Sequence, residues 1–319
     1  MPTPYELRHR LQAVSVNVDQ TEADAIRRGS VVIDAGIRDD TISGAIEDDP
    51  VIDATDDAPT GSQSWNVADL QLDESVGGIR EEIERRSRLL GPAYPFHLRS
   101  ERLVYAPSTS GCYEFCLATC QAQSITKKPF VKLPRGFERL CAKLVERYMG
   151  VGATSVHVGW PRDGSVGRNF KTAMKQIERL PYEWVWQPES GKPEDPAQTC
   201  VKDEGVDFVV VKRVLDDRAG WIYLLGQCAC GDDWNTKWRE LDETRLRKWF
   251  RTQAPVPFMR AFATPYLLAD EVMREATDQA GVVFDRARLT ILAERHLSAD
   301  EVVEVSENLR PISGLVLAA

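Results

Sequence analysis

The sequence predicts an α/β protein: a small mixed sheet flanked by helices, with helical N- and C-terminal additions. Three observations carry that expectation. The first is a pair of β-rich apolar runs, Phe208-Val209-Val210-Val211 and Trp221-Ile222-Tyr223-Leu224-Leu225. The polar connection Asp216, Asp217, Arg218, Ala219 and Gly220 lies between them, so they read as adjacent antiparallel strands. The second is the segment Gly136 to Met149, where Phe137, Leu140, Cys141, Leu144, Val145, Tyr148 and Met149 fall at the spacing of one helical face and Gly150 supplies a C-cap. The third is the alternation of further helix-like and strand-like segments on either side of these.

Taken in order, residues 1–130 form a mainly helical N-terminal region. Tyr5–Val14, Asp24–Arg28, Gly78–Leu90 and Cys112–Gln123 are its expected helices, the third ending before Gly91-Pro92. Between Asp34 and Glu74 acids crowd the chain, as at Glu47-Asp48-Asp49, which reads as a solvated loop or flexible joint over 34–74. Residues 131–265 form the core: the helix Gly136–Met149, a strand Ser155–Trp160, an insertion over about 161–200, the two apolar strands, a helix Asp233–Phe250 and a strand Phe258–Ala263. The insertion carries a helix Asn169–Leu180 followed by a loop with Pro181, Pro188, Pro193 and Pro196. Residues 266–319 read as a helical C-terminal region, with helices Leu267–Ala280 and Ser298–Leu309. Between them, Asp285 with Arg286 and Arg288 reads as a structural ion pair or a partner contact.

Strand parity narrows the candidate chemistry, because side chains two residues apart share a face. Asp207, Val209 and Val211 point one way, and Phe208, Val210 and Lys212 the other; Gln227 and Ala229 share one face of the next strand, Cys228 and Cys230 the opposite one. An acid opening one strand and an amide near the end of its neighbour can converge on one hard cation, since oxygen ligands suit Mg²⁺.

Gly205-Val206-Asp207 followed by Gln227-Cys228-Ala229 resembles the core of the PD-(D/E)XK nuclease superfamily, in particular its Mrr-like restriction branch. There a Gly-x-Asp opens one strand and a Glu-or-Gln-x-Lys sits on the next. Phe137-Glu138-Arg139-Leu140 resembles the first core helix of such nucleases, which often donates a glutamate to the metal site; a solvated glutamate favoured by the helix dipole is the plainer reading of Glu138. The resemblance spans the middle third to half of the chain. It implies a restriction-endonuclease-like core and hydrolysis of nucleic acid, DNA in the first instance, dependent on Mg²⁺ or Mn²⁺. Asp207, Glu138 and Gln227 would hold the metal, with the backbone carbonyl of Cys228 completing the shell. The sequence departs from the pattern at the lysine, where Ala229 stands. Lys237 is the expected relocated lysine, in preference to Lys212, and a surface lysine is its alternative role. Gln227 in place of a glutamate removes one negative charge and weakens metal affinity. The implied biology is restriction or phage defence, with protein partners from a defence complex. Two alternatives stand beside it: a catalytically inactive nuclease-like binding subunit, favoured by Ala229, and a helical interaction protein with a small sheet.

Bulk composition fits an ordinary globular protein, with 43% hydrophobic and 28% charged residues. The net charge of −9 argues against indiscriminate nucleic-acid binding, so basic stripes must carry any phosphate contact. Arg168, Lys171, Lys175 and Arg179 fall on one side of the inserted helix and are candidates for tracking phosphates; an exposed, solvated face is their plainer reading. Arg245, Arg247, Lys248 and Arg251 form a second basic group. The seven cysteines read as small buried thiols rather than a disulfide framework, and Cys228 and Cys230 aim at a packed face. The expected location is the cytoplasm, with no membrane partner. No phosphate-binding Gly-Lys-Ser/Thr loop or dinucleotide glycine fingerprint is present, and of His9, His97, His157 and His296 only His157 falls near the proposed site.

Overall fold

The computed structural model of the 319-residue chain describes residues 4–33, 61–160, 162, 169–178, 183–189, 192, 202, 204–214, 216, 218–252 and 258–317. The chain divides into two compact units, Met1–Ser108 with Leu317–Ala319, and Thr109–Val316. No described helix is long and apolar enough to cross a membrane.

The first unit contains helix α1 (Pro4–Arg28), strand β1 (Ser30–Val32), helix α2 (Gly61–Leu90) and strands β2 (Phe96–Arg99) and β3 (Arg102–Tyr105). The two short helices expected at Tyr5–Val14 and Asp24–Arg28 are one. Val18, Ala23 and Ala25 are buried along the joining stretch, and this burial overrides its modest helix propensity. The three strands pair antiparallel in the order β1-β3-β2, a sheet absent from the sequence reading. Of the acidic stretch, residues 34–60 lie outside the described residues, while 61–74 belong to α2 and are therefore not a loop.

Arg86 of α2 is fully buried and fixes α1 to α2. Its guanidinium meets Asp19 at 2.7 Å, Glu22 at 3.0 Å and Glu82 at 2.9 Å, and Tyr94 donates to Glu22 at 2.6 Å. Arg86 and Arg85 hold the Glu82 carboxyl below the usual glutamate range against the upward pull of burial, which is the largest single influence on it. Removing the cation leaves buried carboxylates unpaired. Arg86→Met is expected to destabilise this unit by about 3–5 kcal/mol, read as a lower urea midpoint.

The second unit contains α3 (Cys112–Gln121), α4 (Lys132–Met149), β4 (Ala153–His157), α5 (Phe170–Glu178), β5 (Trp184–Trp186), β6 (Phe208–Lys212), β7 (Ile222–Cys228), α6 (Glu243–Leu246), β8 (Phe250–Thr252), β9 (Met259–Ala263), α7 (Asp270–Ala280), β10 (Val282–Phe284), α8 (Arg286–His296) and α9 (Ala299–Leu317). Its five-stranded sheet has the order β10-β9-β7-β6-β4. The pairs β4–β6 and β6–β7 are antiparallel, while β7–β9 and β9–β10 are parallel, so the class is mixed α/β. The strand expected at the end of the core pairs with β10, so the sheet extends past residue 265 into the stretch read as purely helical. Asp285 there makes no carboxylate–guanidinium bridge; it caps α8, accepting from the amides of Arg288 and Leu268, and burial pushes its carboxyl up.

The helix expected over Asp233–Phe250 is replaced by a 3-10 turn at Trp234–Thr236, the four-residue α6 and strand β8. The reason lies in packing. Trp234 and Trp238 join a cluster with Ala229, Phe262, Leu268 and Val283, whereas Leu241, Leu246, Trp249 and Phe250 join another with Val209, Val211, Tyr223 and Leu225. One straight helical face cannot serve two separate clusters.

Helix α4 packs on β4, β6 and β7, burying Leu133, Phe137, Leu140, Cys141, Ala142, Leu144 and Val145. Glu146 accepts from the amide and hydroxyl of Ser155 at 2.7 Å, and so pins the helix to β4. Lys212 donates to the carbonyl oxygens of Met149 and Val151, which ties the end of β6 to the end of α4. The ring of Phe208 covers Gly226 on the neighbouring strand: a Cβ there would stand 2.0 Å from the ring. Gly226→Val therefore forces a buried ring aside. An unfolding free energy lower by about 1–3 kcal/mol is expected from chemical denaturation.

Candidate active site

The site is assembled at the ends of β4 and β6, beneath α4. Just before β6 the backbone turns through two left-handed residues, Glu204 at φ 55° and Gly205 at φ 80°. Gly205 is required twice over, for its positive φ and because a Cβ would lie 3.3 Å from the carbonyl oxygen of Glu240. Asp207 follows. Its amide donates to Gly226 at 2.8 Å, and its carbonyl accepts from both Val158 at 2.7 Å and Gly159 at 2.8 Å. Two successive amides on one carbonyl mark a bulge in the ladder, which frees the strand ends from strict alternation.

At this bulge the two carboxylates expected from the sequence meet. A Cβ on Gly159 would stand 2.5 Å from Glu138 Oε2 and 3.0 Å from Asp207 Oδ1, so both oxygens face the space that the glycine leaves open. Asp207 Oδ2 accepts from the Cys228 amide at 2.6 Å. Glu138 Oε2 lies 2.6 Å from His157 Nε2, and both side chains are largely buried, with 14% and 8% exposure respectively. The Nδ1 of His157 is buried and makes no hydrogen bond. Helix α4 begins at Lys132, so Glu138 is a full turn beyond the helix N-terminus. The dipole favours acids chiefly in the first turn, so that reading of Glu138 loses its ground.

The remaining expected residues are placed differently. Gln227 is buried and donates from Nε2 to Glu240, while the side chain of its neighbour Cys228 reaches Cys141 of α4. Cys228 meets Asp207 through its amide rather than its carbonyl. Lys237 forms an ion pair with Asp233 at 3.3 Å, and Ala229 lies in the apolar cluster around Trp234 and Trp238. Glu204 pairs with Arg245 at 3.3 Å. On α5, Lys171 lies over the ring of Trp186 at 5.9 Å and Lys175 is exposed; Arg168 and Arg179 lie outside the described residues.

Three participants escaped the sequence reading: the contact of His157 with Glu138, the role of Gly159 and the acceptor Glu240. The small residue in His157-Val158-Gly159-Trp160 at a strand end is the one local signal that pointed to this place.

Among the described residues, no three or more His, Cys, Asp and Glu side chains gather closely enough to hold a metal ion unaided. The donor set nevertheless suits Mg²⁺, which keeps several waters and is held by one or two carboxylates together with substrate phosphates. The space above Gly159, faced by two carboxylate oxygens, is compatible with that mode. Burial pushes the thiols of Cys141, Cys228 and Cys230 up, so these neighbours of the site are protonated thiols, not soft-metal ligands.

No protein-family model matches the chain, and no curated protein matches it. Among solved structures it is similar to the MspJI restriction endonuclease in complex with a 27-mer oligonucleotide, at 14% identity and a TM-score of 0.29, over 57% of this chain and 33% of that one. This chain thus spans about a third of that protein's length.

Gly159→Ala places a methyl group between the two carboxylates. A loss of about 1–3 kcal/mol in stability is expected from overpacking at this buried point, measured by denaturant titration.

Proposed function

We infer that this protein is a metal-dependent phosphodiesterase acting on nucleic acid, DNA in the first instance, with a restriction-endonuclease-like core made of α4, β4, β6, β7 and β9. The observation that carries the reading is the convergence of Glu138 and Asp207 on the space left by Gly159. It occurs where the Gly-x-Asp turn enters an antiparallel pair, beside a helix that delivers the glutamate. A role in restriction or phage defence, alongside protein partners, accompanies this reading by analogy of fold and motif.

Glu138 and Asp207 would hold Mg²⁺ or Mn²⁺. When bound, the ion lowers the pKa of a coordinated water and neutralises charge on the phosphoryl oxygens. The chain's own residues prepare for this in defined ways. The Cys228 amide fixes one oxygen of Asp207 and leaves the other facing Glu138. His157 orients Glu138 through Nε2. The Gln227–Glu240 bond keeps the amide out of the donor set in this arrangement, so two carboxylates rather than three ligands define the site and affinity is weak. Lys237 orients the attacking water only if it leaves Asp233.

The second reading, a nuclease-like subunit that binds without cutting, is favoured by one observation: the position of the usual lysine is Ala229, packed among tryptophans. Cleavage of plasmid, linear and single-stranded nucleic acids with Mg²⁺ or Mn²⁺ decides between the two. Activity should fall at least about 100-fold in Asp207→Asn and in Glu138→Gln, an order typical of lost transition-state stabilisation. Lys237→Ala tests the relocated lysine, with Lys212→Ala as a structural control. Wild-type protein that binds nucleic acid but cuts none with either metal supports the inactive subunit.

A further inference from the structure

Trp160 is 49% exposed, whereas Trp184, Trp221, Trp234, Trp238 and Trp249 are buried. An exposed indole forgoes the large stabilisation that its burial supplies, and so calls for a reason outside the fold. Its position suggests one. Trp160 directly follows Gly159, the residue faced by Glu138 and Asp207, and lies three positions beyond His157, which contacts Glu138. The guanidinium of Arg162 lies 5.6 Å from the centre of the Trp160 ring and is tied to the carbonyl oxygen of Lys202. A broad aromatic face and a fixed cation therefore stand together at the lip of the carboxylate pair.

We propose that Trp160 is a stacking platform for an unpaired nucleobase, and that the substrate is nucleic acid that is single-stranded at the site. A cation beside an aromatic face suits a nucleotide, with the base on the ring and its phosphate near the guanidinium. In a duplex both faces of each base are covered by neighbours, so a stacking platform has nothing to receive unless the base is unstacked. The net charge of −9 points the same way. A protein with little overall attraction for phosphates gains more from stacking, which is independent of sequence, than from tracking a backbone. The location beside a reacting phosphate rests on the nuclease reading; the stacking does not.

The test is fluorescence anisotropy with labelled single-stranded DNA, single-stranded RNA and duplex DNA in EDTA, where metal-dependent cleavage is suppressed, beside cleavage assays in Mg²⁺ and Mn²⁺. Wild-type protein should bind a single strand more tightly than duplex. Trp160→Ala should weaken single-strand binding about tenfold, Trp160→Phe should retain most of it, and duplex binding should change little. The DNA and RNA arms identify which single strand is preferred. Equal single-strand affinity of wild type and Trp160→Ala, or an equal loss on duplex, overturns the proposal. Single-strand binding that depends on Trp160 without cleavage by any metal upholds the platform and defeats the nuclease reading. Cleavage that is indifferent to Trp160 does the reverse.

Discussion

The amides of Val158 and Gly159 share the carbonyl of Asp207, and the rest of the site depends on that doubled contact. In a regular ladder, alternation would aim Asp207 with Val209 and Val211, into the aromatic cluster on the far side of the sheet from α4. The bulge relaxes alternation at the strand ends, where it no longer governs packing, and Asp207 meets the glutamate of α4. Gly159 completes the arrangement by having no side chain, since any Cβ would lie within bonding contact of Glu138. Bulges of this kind re-aim side chains next to active sites.

What holds the bulge in place is the packing on either side of it. Phe208 lies over Gly226 and locks β6 to β7 one residue beyond Asp207. Glu146 fastens α4 to β4, and Lys212 fastens the far end of β6 to the end of the same helix. The other face of the sheet carries an aromatic assembly, with Trp184 against Tyr223 and Phe250, and Trp186 stacked on Trp249. These rings come largely from the inserted segment and from the stretch after β7, so elements that carry no candidate ligand still set the rigidity of the strands that do.

Charge near the site is arranged in short local pairs. Glu204 takes Arg245, Lys237 takes Asp233 and Gln227 takes Glu240, and the thiols of Cys141 and Cys228 lie against the carboxylates as neutral groups. Protonated thiols are small and weakly polar, so they fill the space beneath α4 without adding charge beside two acids. The buried Nδ1 of His157 is the polar atom here without a hydrogen bond, next to the one imidazole that touches a candidate ligand.

Short-range periodicity made much of this fold readable. The apolar stripe of α4, the runs of β6 and β7, the inserted helix and the strand β9 each announce themselves within a window of a few residues, because burial of one face imposes a repeat of 3.6 or 2. Glu138 and Asp207 were legible for the same reason, each standing at a recognisable place on such an element. The strands β5, β8 and β10 were not: each has three residues, and it is a strand because a distant partner supplies its hydrogen bonds. The turn of Gln227 toward Glu240, the packing of Ala229 among tryptophans and the approach of His157 to Glu138 likewise join residues far apart in sequence or on separate elements. By itself, the sequence determined which segments could form faces and which acids lay at their ends. Only the tertiary structure decided which of those groups meet, because that depends on a bulge and on long-range packing, neither of which leaves a periodic trace along the chain.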